Sequence, residues 1–233
     1  MLFGLFRFDW TILIVLPALI ISIWAQFKVK STFDEYSQLY TRHGMTGASA
    51  ARRILDANGL YDVQIERVRG ELTDHYDPRA NVIRLSDSVH DSRSAAAIGV
   101  AAHEAGHAVQ YAQSYFPIKV RSAAIPVTRI GSMLSIPLFF IGLLMASDYL
   151  MLIGIVLYSF IAFFQLVTLP VEFNASARAI SVLRSTQILD DDELMASKKV
   201  LTAAALTYVA ALLTSLLTLL RLIVLAGGRS NRR

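Results

Sequence analysis

His103, Glu104 and His107 stand in the order H-E-x-x-H within the run AHEAGH. On a helix, residues four apart share one face, so both imidazoles can reach a single ion. Glu104, one step along, can then act as general base on a water that the ion activates. The chemistry encoded by this trio is metal-assisted hydrolysis, with zinc as the expected metal. The chain has no cysteine, which excludes disulfides and thiolate zinc sites and leaves His, Asp and Glu as ligands. The competing reading is a core helix whose histidines merely hydrogen-bond to neighbours. A glutamate directly after the first histidine weighs against it.

Catalytic zinc usually takes three protein ligands and a water. Among 5 histidines none follows His107, so a downstream histidine cannot complete the site. Between His107 and Val171 there is no glutamate, and Asp148 is the only aspartate. Asp148 falls at the far end of an apolar hairpin, whereas Glu172 follows the return of that hairpin to the histidine side. A bilayer core of about 30 Å exceeds any side chain's reach, which favours Glu172 over Asp148. The acidic run at 190–193 is on the same side but reads as a solvated helix start. The alternative for Glu172 is an ion pair with Arg178 or Arg184.

The elements that must position these groups follow from composition and periodicity. Residues 94–113 are alanine-rich and free of proline, which predicts a helix, with Asp91, Ser92 and Ser94 as cap candidates. Gly99 and Gly106 cost that helix roughly 1 kcal/mol each and suggest close backbone approach. A hydrophobic fraction of 55% and a mean hydropathy of +0.49 point to membrane residence. Apolar runs at 10–27, 130–146, 149–169 and 203–225 read as spans, with Pro17 expected to kink the first, an uncleaved anchor. Between the first two spans, 46–57 predicts a helix stopped by Asn58-Gly59. Val63 to Val68 and Val82 to Leu85 predict strands, with a turn at Asp77-Pro78. An edge strand beside the metal would offer an extended peptide something to pair with. Asp190 with Glu193 resembles a capping box. The expected fold is a mainly α membrane protein. About four transmembrane helices would carry a small α+β zincin-like catalytic domain between the first and second. The expected divisions are 1–29 (anchor), 30–122 (catalytic domain), 123–170 (transmembrane hairpin), 171–201 (helical segment with the third ligand) and 202–233 (last span and basic tail).

The stretches AQFKVKSTF, ARRILDANGL, LTDHYDPR, AAHEAGHAVQ, LVTLPVEFNASARA and KKVLTAAALTYVAALL carry a resemblance. Through them the chain resembles the YugP-type neutral zinc metallopeptidases of bacterial membranes, nearly end to end. It is more distantly similar to the HtpX-type and CAAX-prenyl-type membrane peptidases, whose E-x-x-A-D motif supplies a zinc-binding glutamate. The matching positions are Glu172, Ala175 and Ser176. Ser176 departs from that pattern, because the family's aspartate orients a zinc-binding histidine. Asn174 or another carboxylate would then take that role. The resemblance also draws attention to His75 and Tyr76, which could stabilise an oxyanion, although a turn that satisfies its own backbone is favoured there. Arg178 is open between that electrophilic role and pairing with a carboxylate. His43 and His90 read as surface residues.

The net charge of +4 is scattered rather than striped, which suits a membrane surface and not nucleic acid. Basic residues near the ends of the catalytic-side helices are Lys28, Lys30, Lys119, Arg121, Arg129, Arg178, Arg184, Lys198 and Lys199. They outnumber Arg7, Arg229, Arg232 and Arg233 on the far side, so the catalytic face is expected to be cytoplasmic. The expected protein is a multi-pass, gluzincin-like Zn2+ peptidase of the bacterial cell membrane. Its partners would be the bilayer, a peptide or protein substrate (membrane proteins included) and a regulatory membrane protein. A site-2-type protease is set aside because no Asp-Gly pair occurs. The non-enzyme alternative is a membrane scaffold with a structural zinc site.

Overall fold

The computed structural model describes residues 10–230, without the side chains of 229 and 230. Arg7, Arg232 and Arg233, counted above for the far side, lie outside the described residues. In order, the elements are α1 (Ile12–Tyr36), α2 (Gly47–Ala57), β1 (Gln64–Val68), β2 (His75–Asp77), β3 (Val82–Ser86), α3 (Asp87–His90), α4 (Ala95–Ala112), α5 (Phe116–Met145), α6 (Asp148–Ser185) and α7 (Asp191–Ser230). Among the described residues the chain is mainly helical with one three-stranded sheet, and α1, α5, α6 and α7 are long and apolar enough to cross a membrane.

Local chemistry accounts for the element starts. Thr46 caps α2 by accepting from the Ser49 N–H, while the Ser49 hydroxyl receives the Thr46 N–H in return. Ser94 caps α4 by accepting from the Ala97 N–H at 3.2 Å. At α7 the capping box is made by Glu193, whose Oε2 accepts the Asp190 N–H while its Oε1 accepts the Arg42 N–H. α5 begins well before the apolar run at 130, because its first turns are helical without being wholly apolar. α6 continues through Pro170 to Ser185, so Glu172 sits on the same 38-residue helix as the returning arm of the hairpin.

The described residues fall into two compact units. One takes residues of Met1–Trp24, Arg121–Leu166 and Val209–Arg233. Within it, a side chain at Gly154 would meet Phe139 and the Ser135 carbonyl at 2.8 Å, so α5 and α6 touch through a small residue. Ser22 and Thr214 hydroxyls share a hydrogen bond at 3.0 Å, and Arg221 Nε donates to Thr11 Oγ1 at 3.2 Å. The first bond joins α1 to α7, and the second ties α7 to the residue just ahead of α1.

The other unit takes Ala25–Val120 and Val167–Tyr208. Its sheet has the order β1-β3-β2, with β1 parallel and β2 antiparallel to β3. β3 is the central strand, and Val82, Ile83 and Leu85 are buried. Ile83 and Leu85 pack with Ile54 and Leu55 of α2, Ile98 and Ala105 of α4, and Leu183 of α6 in one core. β2 and α3 were not expected from the sequence. At three and four residues, both are too short to show a period.

Candidate metal centre

α4 carries His103 and His107 one turn apart, and α6 brings Glu172 to them. Glu172 Oε2 lies 3.3 Å from His103 Nε2 and 3.5 Å from His107 Nε2. The two rings meet edge to face with centroids 4.7 Å apart. The three ligand atoms all lie within 4.8 Å of one another, and Glu172 is only 2% exposed. Ligands of a tetrahedral zinc at ~2.0–2.1 Å would be about 3.3 Å from one another. The donor types and spacings therefore fit zinc.

Charge points the same way. A buried carboxylate is costly unless a positive charge or strong donors face it. Burial opposes protonation of His107, yet its contact with Glu172 and the nearby Glu104 charge carry its pKa above the ordinary histidine range. The cluster thus draws a positive charge to itself, which is the demand a divalent cation meets.

The close approach of α4 and α6 depends on Gly106. A Cβ there would stand 2.8 Å from the Ala175 carbonyl oxygen, a backbone atom that cannot swing away. Gly99 plays the same part towards α7, where Ser197 comes within 3.0 Å and donates its hydroxyl to the Ala95 carbonyl at 2.6 Å.

Behind His107, a chain of side-chain hydrogen bonds runs back to Arg178. Arg178 can only donate, and its Nε reaches Asn174 Oδ1 at 2.7 Å. Gln110 Nε2 donates to that same oxygen at 2.9 Å and to the Val171 carbonyl at 2.8 Å. With its NH2 group so engaged, Gln110 turns Oε1 to His107 Nδ1 at 3.0 Å. An amide oxygen only accepts, so Nδ1 carries a proton, and in the neutral ring Nε2 presents its lone pair to the cluster. At the other histidine, Ser176 Oγ lies 3.1 Å from His103 Nδ1. Ser176 is thus the residue beside His103, and Asn174 reaches His107 only through Gln110.

Glu104 is 8% exposed and forms no salt bridge among the described residues. It lies near enough to Asp74 to act on it electrostatically; burial and that charge raise the Asp74 pKa, against hydrogen bonds from Ser86. The other candidates are engaged elsewhere. His75 is exposed, with Nδ1 2.8 Å from the Thr73 carbonyl. Tyr76 donates to Asn81 at 2.9 Å and packs on Tyr111. Among the described residues Arg178 pairs with no carboxylate; besides Asn174 it donates to Gln113 at 2.6 Å and lies over the Tyr115 ring. Gln110 and Asp74 were missed by reading the sequence. Gln110 had a usable signal, since it sits three residues after His107 on one helix face. Asp74 had none, because only the fold carries its loop to α4.

Residues 11–227 match the family described as "Putative neutral zinc metallopeptidase". The chain is also 51% identical over 221 residues to "Putative membrane protease YugP" of Bacillus subtilis, covering 94% of this chain and 98% of that protein. No solved structure matches. The chain belongs to this neutral zinc metallopeptidase family.

Proposed function

We propose that this chain is a membrane-embedded zinc peptidase that holds its metal through His103, His107 and Glu172 and uses Glu104 as general base. The observation that carries the reading is Glu172 Oε2 lying 3.3 and 3.5 Å from the Nε2 atoms of the two histidines. A zinc ion held there supplies a water acidic enough to attack near neutral pH, together with Lewis-acid polarisation of the substrate carbonyl. Glu104 takes the proton of the attacking water at its carboxylate as the new C–O bond forms, then gives it to the leaving amine as the peptide C–N bond breaks. Gln110 accepts from His107 Nδ1 and Ser176 bonds to His103 Nδ1, so both rings turn Nε2 towards Glu172. β2 leaves one edge unpaired in the sheet, on which an extended peptide can lie. The catalytic face is cytoplasmic, at the bacterial cell membrane.

Glu104→Gln tests the chemistry. The variant is expected to keep its zinc, measured by metal analysis of the purified full chain, and to lose peptide cleavage by at least ~100-fold. Undiminished turnover would refute Glu104 as the base. A matching loss of zinc would turn the reading towards a structural site. Glu172→Ala is expected to lower zinc content, and full occupancy in that variant would remove Glu172 from the ligand set.

A further inference from the structure

A cavity of about 260 Å³ opens beside His103 and Glu104. Its wall includes Val29 and Phe33 of α1, Leu72 ahead of β2, Val100 of α4, and Val200 and Ala204 of α7. All of these belong to the same compact unit as the metal cluster. Asp74 also faces the cavity, but its two oxygens already accept the Ser86 N–H and hydroxyl at 2.7 and 2.9 Å. We propose that this cavity is a substrate subsite that takes one large apolar side chain, aliphatic or aromatic, from the residue next to the scissile bond. The proposal rests on the peptidase reading above.

Size, lining and position each support it. The cavity is smaller than the ~300–1,000 Å³ clefts that hold drug-sized molecules, so it suits a single side chain. The apolar part of the wall gains by covering apolar surface and penalises a charge that is stripped of water there. An anionic side chain would face both Asp74 and Glu104, and a cationic one would reach these carboxylates only by giving up its water against the apolar part of the wall. Because His103 and Glu104 form part of the wall, a side chain seated here leaves its own backbone next to the ligands and the base. The subsite thereby couples recognition to the position of the reacting carbonyl.

The test uses the zinc-loaded full chain in detergent and peptides that differ only at the two positions flanking one cleavable bond. Alanine, leucine, phenylalanine, lysine and aspartate are compared by kcat/KM, with the cut located by mass. Leucine or phenylalanine at one flank is expected to exceed alanine by about 10- to 200-fold. Ala204→Phe, which fills the cavity from α7, is expected to bring that ratio to unity or below. The ratio is read within each protein, so a general loss of activity does not disguise it. Where Ala204→Phe fails to fold, Thr207→Phe on the same wall serves the comparison. Equal rates across the panel, a preference for lysine, or an unchanged ratio in the filled variant overturn the subsite and leave the peptidase reading standing. Wild type that binds zinc yet cleaves no peptide overturns both.

Discussion

The orientation of one amide decides which nitrogen of His107 is free. Gln110 is buried, and its two donors are used by Asn174 and Val171, so its oxygen must face the ring. Gln110→Leu removes the acceptor, and zinc affinity is expected to fall by about 10- to 100-fold, read by competition with a metal-binding dye. Gln110→Glu separates orientation from stability. It still accepts from His107 but cannot donate to Asn174 or Val171, so zinc binding should largely survive while thermal stability drops by about 1–3 kcal/mol. Equal zinc loss in both variants would mean that Gln110 acts only through packing. Asp74 gives a second test at this scale. Its pKa is raised, so its contribution to stability is whole below the unfolded carboxylate range and is lost as pH rises through the raised value. Asp74→Asn does not titrate. Melting curves from pH ~4 to ~7 should therefore move in favour of the variant as pH rises, and the opposite trend would show the ionised form to be the stabilised one. The candidate trio of His103, His107 and Glu172 was legible in the sequence because metal chemistry needs particular side chains, two of them at fixed helical spacing, and the fold brings the three together. Gln110 was not, since glutamine has many uses and its partners come from a helix 61 residues further on.

At the scale of elements, the site exists because α4 and α6 approach within glycine distance. Gly106→Ala must push one backbone away from the other, since the obstacle is the Ala175 carbonyl. Overpacking of this kind costs about 1–3 kcal/mol, and here it also separates both histidines from Glu172. The variant is expected to fold with lowered stability and a zinc affinity reduced more than that of Ala105→Gly, a nearby control that creates space instead. Intact zinc affinity in Gly106→Ala would show that the helices tolerate a wider spacing. The glycine could be read as a close-approach signal before the fold was known, although its partner could not. Glu172 was placed on the histidine side by counting two apolar runs, a topological argument that needs no side-chain geometry. The continuity of α6 through Pro170 was less legible, because the composition turns polar at residue 171 while the helix runs on to Ser185. β2 stayed hidden for a different reason. Its three residues pair with β3 through backbone bonds that any side chain permits.

For the whole molecule, the question is which side of the membrane the proposed catalytic residues face, and charge is the available argument. Basic residues flank the ends of the long helices on the proposed catalytic side, and their excess is what holds a loop in the cytoplasm. The rule weakens for a long polar segment such as 28–121, so the turn between α5 and α6 is the better reporter, being only two residues from Met145 to Asp148. The chain has no cysteine, so single cysteines report without background. Ser147→Cys lies in that turn, and Glu66→Cys lies on exposed β1. With an impermeant maleimide on intact cells, Ser147→Cys is expected to label at once and Glu66→Cys only after the membrane is opened. The reverse pattern would put the proposed catalytic residues outside the cytoplasm, and the substrate would then be sought among exported or surface proteins. Labelling of both in intact cells would contradict the count of spans itself. It would also remove the topological ground on which Glu172 was preferred to Asp148, leaving that assignment to the distances at the cluster alone.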